Sequence, residues 1–161
     1  MRRTRRSLRQ KEKSEAVEIA YRLLNVRMRS RQELAEGLQR RGVPAEIVND
    51  VLAEFAQRGL LDDVRFAEAW ARGRLALQPS GALRLRHELM RKGVSREIID
   101  RAVAAVMEQH GESELELAFA VARDRGPRYS RLPRDVASRR LSALLQRRGF
   151  SADVIARVLR A

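Results

Sequence analysis

The sequence predicts an all-α protein: a tandem repeat of three three-helix units forming an elongated, curved right-handed or arc-like array. Three observations predict it. Apolar residues make up 44% of the 161-residue chain but aromatics only 4%, and Leu, Ala, Arg and Glu dominate. These side chains lose little rotamer freedom in a helix, and no stretch alternates β-formers with polar residues. One segment occurs three times without a gap: RQELAEGLQRRGVPAEIVNDVL (Arg31 to Leu52), ALRLRHELMRKGVSREIIDRAV (Ala82 to Val103) and SRRLSALLQRRGFSADVIARVL (Ser138 to Leu159). Each copy is punctuated by two basic residues and a glycine, a helix-ending signal.

The first unit opens on a helix expected over Ser14 to Met28, with Val17, Ala20, Tyr21, Leu24 and Met28 on one face. Ser30 and Glu33 form a capping box for the next helix, whose Leu34 and Leu38 share one face. Arg40-Arg41 complement its last turn and Gly42 ends it. Pro44 suits a first helical position, and Ile47, Val48, Val51, Leu52 and Phe55 form the apolar face that follows.

The second unit repeats this order. A helix from Asp62 to Leu77, capped by Asp62 or Asp63, carries Phe66, Ala69, Trp70, Gly73 and Leu77 inward. The chain breaks at Gln78-Pro79-Ser80-Gly81. Leu85 and Leu89 mark the middle helix, Arg91-Lys92-Gly93 its end, and Ser95 the cap of a helix burying Ile98, Ile99, Ala102, Val103 and Val106. The third unit begins with Glu114 to Arg125 (Leu115, Ala118, Phe119 and Ala122 inward) and breaks around Pro127 to Pro133. It then repeats the pattern with Leu141/Leu145, Arg147-Arg148-Gly149, a Ser151 cap and Val154, Ile155, Val158 and Leu159. The expected organisation is a basic, disordered tail over 1–13 and three-helix repeats over 14–58, 59–110 and 111–161. A unit of such length is marginal alone, so the units are expected to stack.

The charge bounds the function. Lys and Arg number 34 against 21 Asp and Glu, a net charge of +13. Such an excess fits nucleic acid, an anionic membrane surface or an acidic protein. The plain alternative is a solvated arginine-rich surface, since Lys occurs only at 11, 13 and 92. With no cysteine there are no disulfides and no thiolate chemistry. No apolar run is long enough to span a bilayer, and no signal-peptide pattern is seen, so a cytoplasmic location is expected. The two histidines, His87 and His110, fall in different helices. Neither a phosphate-loop pattern nor a Ser-His-Asp spacing occurs. No enzyme, cofactor or metal is expected. Asp62 and Asp63 are adjacent carboxylates, better read as helix caps than as acid–base machinery. Trp70, Phe66, Tyr21 and Phe119 read as core, while Tyr129, in the basic loop Arg128 to Arg131, reads either as local packing or as a surface on which a base could stack.

The runs GLLDDVRFAEAWARGR (Gly59 to Arg74), QPSGALRLRHELMRKGV (Gln78 to Val94) and LLQRRGFSADVI (Leu144 to Ile155) resemble the RecX regulatory proteins of bacteria. The resemblance covers nearly the whole chain from about residue 14. It implies tandem three-helix repeats and binding, as a monomer, to the RecA recombinase, chiefly as its filament on DNA. It also implies restraint of RecA's ATPase, strand-exchange and coprotease activities from the filament groove. The N-terminal tail and the connections at 111–114 and 123–134 depart most from the family and inherit no role.

The residues expected to meet the partner are the basic positions of the middle helices: Arg84 and Arg91, seven apart on one helix face, their counterparts Arg140 and Arg147, then Arg40, Arg41, Lys92 and Arg148. Guanidinium forks suit phosphate and carboxylate alike. The competing reading is that they only complement helix dipoles. Seven basic side chains among residues 2–13 offer a second, sequence-independent contact to single- or double-stranded DNA, or else a solubilising extension. Two other classes remain open. A helix-turn-helix transcription regulator would prefer one duplex sequence, although the acidic Asp50 and Glu54 on the first unit's third helix suit DNA badly. A pure protein scaffold would lack salt-dependent DNA binding.

Overall fold

Nine α-helices and one short 3-10 helix, with no strand, make up the described residues of the computed structural model. It describes the backbone from Arg2 to Ala161 and side chains from Ser7 onward. The helices are α1 (Arg2–Val26), α2 (Arg31–Gln39), α3 (Ala45–Gln57), α4 (Asp63–Leu77), α5 (Ala82–Arg91), α6 (Arg96–His110), α7 (Glu114–Arg125), α8 (Arg134–Arg147) and α9 (Ala152–Arg160). The 3-10 helix, Gly126–Tyr129, fills the break before α8. The fold is thus all-α, as the repeat pattern predicts.

Contacts gather the chain into two compact units. The first runs through Phe66 and takes in Lys92–Val94. Its core joins Leu34 and Leu38 of α2, Ile47, Val48, Val51, Leu52 and Phe55 of α3, and Ala16, Ala20 and Leu23 of α1. The Tyr21 ring tilts against Phe55 with centroids 4.9 Å apart. The second unit comprises Ala67–Arg91 and Ser95–Ala161. Its core joins Ala67, Ala71 and Leu75 to Leu85, Leu89, Ile99 and Val103, with Leu117, Leu145, Phe150 and Ile155 buried farther along the chain.

The expected faces of the middle and third helices are the buried ones, apart from half-buried Ile98, Leu141 and Leu159. The first helix of each triplet keeps one or two expected inward residues (Ala20, Phe66 and Ala118 are buried) but is rolled partly away from the rest of its expected face. Ala16, Ala20 and Leu23 are inward on α1, whereas Met28 lies beyond the helix and is 49% exposed. Ala67, Ala71 and Leu75 are inward on α4, with Leu77 80% exposed and Gly73 open to solvent. On α7, Leu117 and Val121 join Ala118, leaving Leu115, Phe119 and Ala122 half-buried. Alanines on the inner face let backbones approach closely, and the larger side chains fall to the flanks.

The N-terminal segment corrects a second expectation. Residues 2–13 continue α1 rather than forming a free tail. The stretch has no Gly or Pro and consists mostly of straight-chain helix formers. Arg9 pairs with Asp50 at 3.0 Å and Lys13 with Glu54 at 2.9 Å, tying α1 to α3. The side chains of Arg2, Arg3, Arg5 and Arg6 lie outside the described set. Pro44 sits at the N-cap of α3 and not in its first turn, and Ser95 caps α6 by position without a side-chain bond.

Candidate partner interface

The basic-basic-glycine motif is a structural device first. Gly42, Gly93 and Gly149 adopt φ of 79°, 72° and 80°, a left-handed conformation that costs glycine nothing. After α2, Gly42 N–H donates to Gln39 O and Val43 N–H to Leu38 O. After α8, Gly149 N–H donates to Gln146 O and Phe150 N–H to Leu145 O. This double bond pattern ends a helix and returns an apolar residue to the core.

The turn also fastens neighbouring segments. In the first unit, the Ser30 hydroxyl donates to Lys92 O at 2.5 Å. In the second unit, Gly81 N–H donates to Arg148 O at 2.9 Å, and Leu83 N–H to Gly149 O at 3.2 Å. Ser30 and Gly81 stand twelve residues before Gly42 and Gly93, so the same repeat position performs both contacts. A Cβ on Gly81 would collide with the Gly149 backbone, and one on Gly149 with the Arg84 backbone.

The two cations of each motif diverge where the helix gives way to the turn. The first of each pair, Arg40, Arg91 and Arg147, points to solvent. The second turns back on the fold. Arg41 donates to Gly37 O at 2.9 Å. The Lys92 ammonium is 2.8 Å from Glu33 and lies 5.9 Å from the Phe66 ring centroid. Arg148 donates to Pro79 O at 3.1 Å. Burial, reinforced by the Arg125 and Arg84 cations, holds its guanidinium below the ordinary arginine pKa.

Arg84 is likewise engaged, 2.9 Å from Glu88. Glu88 also accepts from Trp70 Nε1 at 3.0 Å and Arg74 Nε at 2.8 Å. Burial opposes its ionisation, but these donors more than compensate and lower its pKa. This hub was not legible in the sequence, because Glu88 aligns with Gly37 and Leu144 in the other copies. Arg140 is exposed, seven residues from Arg147 on α8. Among the described residues no carboxylate pairs with Arg91, Arg140 or Arg147, and Arg40 has only Glu36 at 3.6 Å. Of eight expected contact residues, the structure therefore leaves Arg40, Arg41, Arg91, Arg140 and Arg147 exposed, Arg41 with a bond to a carbonyl of its own helix, and gives Arg84, Lys92 and Arg148 part-buried positions with internal partners.

The adjacent carboxylates resolve into two structural roles. Asp62 accepts from Val64 N–H and Arg65 N–H at 2.8 and 3.1 Å, capping α4. Asp63 accepts from Arg31 N–H at 2.7 Å at the start of α2, although burial raises its pKa. Among the described residues no group of three His, Asp or Glu is placed to hold a metal ion, and no helix is long and apolar enough to cross a membrane. Trp70 and Tyr129 are both half-buried, Tyr129 at the end of the 3-10 helix.

Comparison with known proteins bears on the partner. Family models describing the first, second and third three-helix domains of RecX match residues 16–55, 62–103 and 112–159. The regulatory protein RecX of Streptomyces coelicolor is 38% identical over 144 residues, covering 88% of this chain and 74% of that one. That of Halorhodospira halophila is 39% identical over 148 residues, covering 88% and 85%. The crystal structure of RecX from Lactobacillus salivarius superposes with a TM-score of 0.83 at 19% identity, covering 94% of this chain and 96% of that one. A second RecX crystal structure gives 0.83 at 23% identity, covering 93% and 74%. At such identities the two structures speak to the fold alone. With three domain models in order and relatives matched over most of their length, the chain belongs to the RecX family of regulatory proteins.

Proposed function

We propose that this protein binds the RecA recombinase, chiefly as its filament on DNA, and restrains its ATPase, strand-exchange and coprotease activities. It acts by occupancy: lying in the filament groove, it bridges neighbouring subunits and hinders their rearrangement during nucleotide turnover. It works as a cytoplasmic monomer without cofactor or catalytic step. Family membership supports RecA as the partner. The observation that carries the reading is the outward display of Arg40, Arg91 and Arg147 at one repeat position, with Arg140 beside Arg147, on a chain of net charge +13. Exposed guanidinium groups with no carboxylate partner among the described residues (Arg91, Arg140 and Arg147) or only a loose one at 3.6 Å (Arg40) suit phosphate oxygens.

The test is RecA ATPase on single-stranded DNA with increasing amounts of this protein. Inhibition near stoichiometry is expected. Reversing Arg40, Arg91, Arg140 and Arg147 to Glu is expected to weaken it. If the four each neutralise one phosphate of a single strand, their loss flattens the log–log salt dependence of binding by about 3. Full inhibition by the reversed variant, or none by the wild type, overturns the reading. A strong preference for one duplex sequence over random duplex would instead assign the chain to transcription control.

A further inference from the structure

The three copies serve as controls for one another, and one surface departs from the repeat. On α5, Leu83 and Met90 are 52% and 59% exposed. They are seven residues apart and so share a helix face, with His87 between them. At the same repeat positions α2 carries Gln32 and Gln39, and α8 carries Arg139 and Gln146. The repeat itself therefore does not require apolar side chains there.

These residues line a groove between α5 and α6 whose floor includes Ile99 and whose rim holds Arg86, Arg96 and Asp100. The rim charges are also peculiar to this copy: Arg86 aligns with Ala35 and Ser142, Arg96 with Ala45 and Ala152, and Asp100 with Asn49 and Ala156. Asp100 is shared, at 3.0 Å from Arg86 and 3.8 Å from Arg96. Two guanidinium groups against one carboxylate leave the groove cationic, and Arg96 is 90% exposed.

We propose that the α5–α6 groove docks an acidic protein segment carrying an aliphatic or aromatic anchor side chain. The anchor seats between Leu83 and Met90, whose flexible thioether adapts to the shape it meets. Carboxylates flanking the anchor take the free donors of Arg86 and Arg96. The charge selects among occupants. A second copy of this chain docking through the same groove would present a like-charged face. A phosphate backbone would satisfy the arginines and leave Leu83 and Met90 wet. An acid-flanked apolar segment satisfies both sets of groups.

The experiment is a methyl NMR titration of the full chain. The probe is a ten-residue peptide with a central Phe-Leu pair between glutamates. The control has Ala-Ala at the centre. The expected result is saturable shifts at the Met90 and Leu83 methyls, with a dissociation constant near or below about 1 mM. The control peptide and the Leu83→Gln/Met90→Gln variant should each bind about tenfold or more weakly. That variant copies α2 at two exposed positions, so it should fold normally. Equal shifts with both peptides, no shifts, or shifts produced by single-stranded DNA instead would overturn the proposal. So would methyl shifts that follow chain concentration alone, which would assign the groove to self-association. RecA inhibition by the wild type is read separately: its absence removes the function proposed above and leaves the titration to decide the groove.

Discussion

Replacing Glu33 by Gln tests how the first unit is held together. Glu33 completes the α2 capping box with Ser30. It accepts from Arg27 at 2.8 and 3.1 Å and from the Lys92 ammonium at 2.8 Å. Burial disfavours its charge, yet the Arg27 and Lys92 hydrogen bonds outweigh that and lower its pKa from 4.5 to about 2. Such a drop corresponds to about 3 kcal/mol favouring the ionised side chain in the fold. The Glu33 side chain is 16% exposed but Arg27 is 44% exposed, so solvent screening reduces the expected effect to about 2 kcal/mol.

The sign follows from the depressed folded value. Glu33 stabilises the fold above the unfolded pKa of about 4.5, and the contribution is lost as pH falls towards about 2. Protonated Glu and Gln are nearly isosteric. Urea unfolding of wild type and Glu33→Gln should therefore differ by about 2 kcal/mol at pH 7, by about 40% less at pH 3.5, and by little near pH 2. A difference that stays constant with pH, or Gln equal to Glu at pH 7, would refute the assignment of Glu33 as a part-buried ionic hub.

Other outcomes follow from the same geometry. Gly73 lies exposed within α4 with open space around an added Cβ. Gly73→Ala should raise stability by about 0.5–1 kcal/mol in chemical denaturation. Gly81→Ala would drive a Cβ into the Gly149 backbone and should cost on the order of 2–4 kcal/mol; a neutral result would mean the turn is not clamped there. Glu88→Ala removes the carboxylate that accepts from the Trp70 indole N–H and from two part-buried guanidinium groups. It should destabilise by about 1–3 kcal/mol and alter Trp70 fluorescence. Asp62→Ala removes the acceptor for two amides of α4, with a loss of about 1 kcal/mol expected in the same assay.

Local codes wrote most of the fold. The Leu34/Leu38 and Leu85/Leu89 pairs, the glycine stops, the Ser30 capping box and the third-helix faces all rest on contacts within a few residues, so periodicity and turn chemistry suffice to read them. The first helix of each triplet did not yield to the same reading. Large apolar side chains dominate any periodicity estimate, while Ala16, Ala67 and Ala71 are chosen for closeness of approach, which only the opposing helix defines. The N-terminal helix was hidden for a similar reason: Arg9 and Lys13 read as a solvated tail until Asp50 and Glu54 are seen opposite them.

The candidate site divides in the same way. Its residue types and repeat positions are sequence properties, because charge and register are inherited copy by copy. Which cation faces outward was settled by the tertiary structure. In two of the three motifs the second residue meets a carboxylate or carbonyl supplied from elsewhere in the chain, Glu33 for Lys92 and Pro79 for Arg148, while Arg41 meets only the Gly37 carbonyl one turn back. A charge is available to a partner only when nothing inside the molecule claims it first, and those internal claims run over separations of 59 and 69 residues that no local pattern encodes.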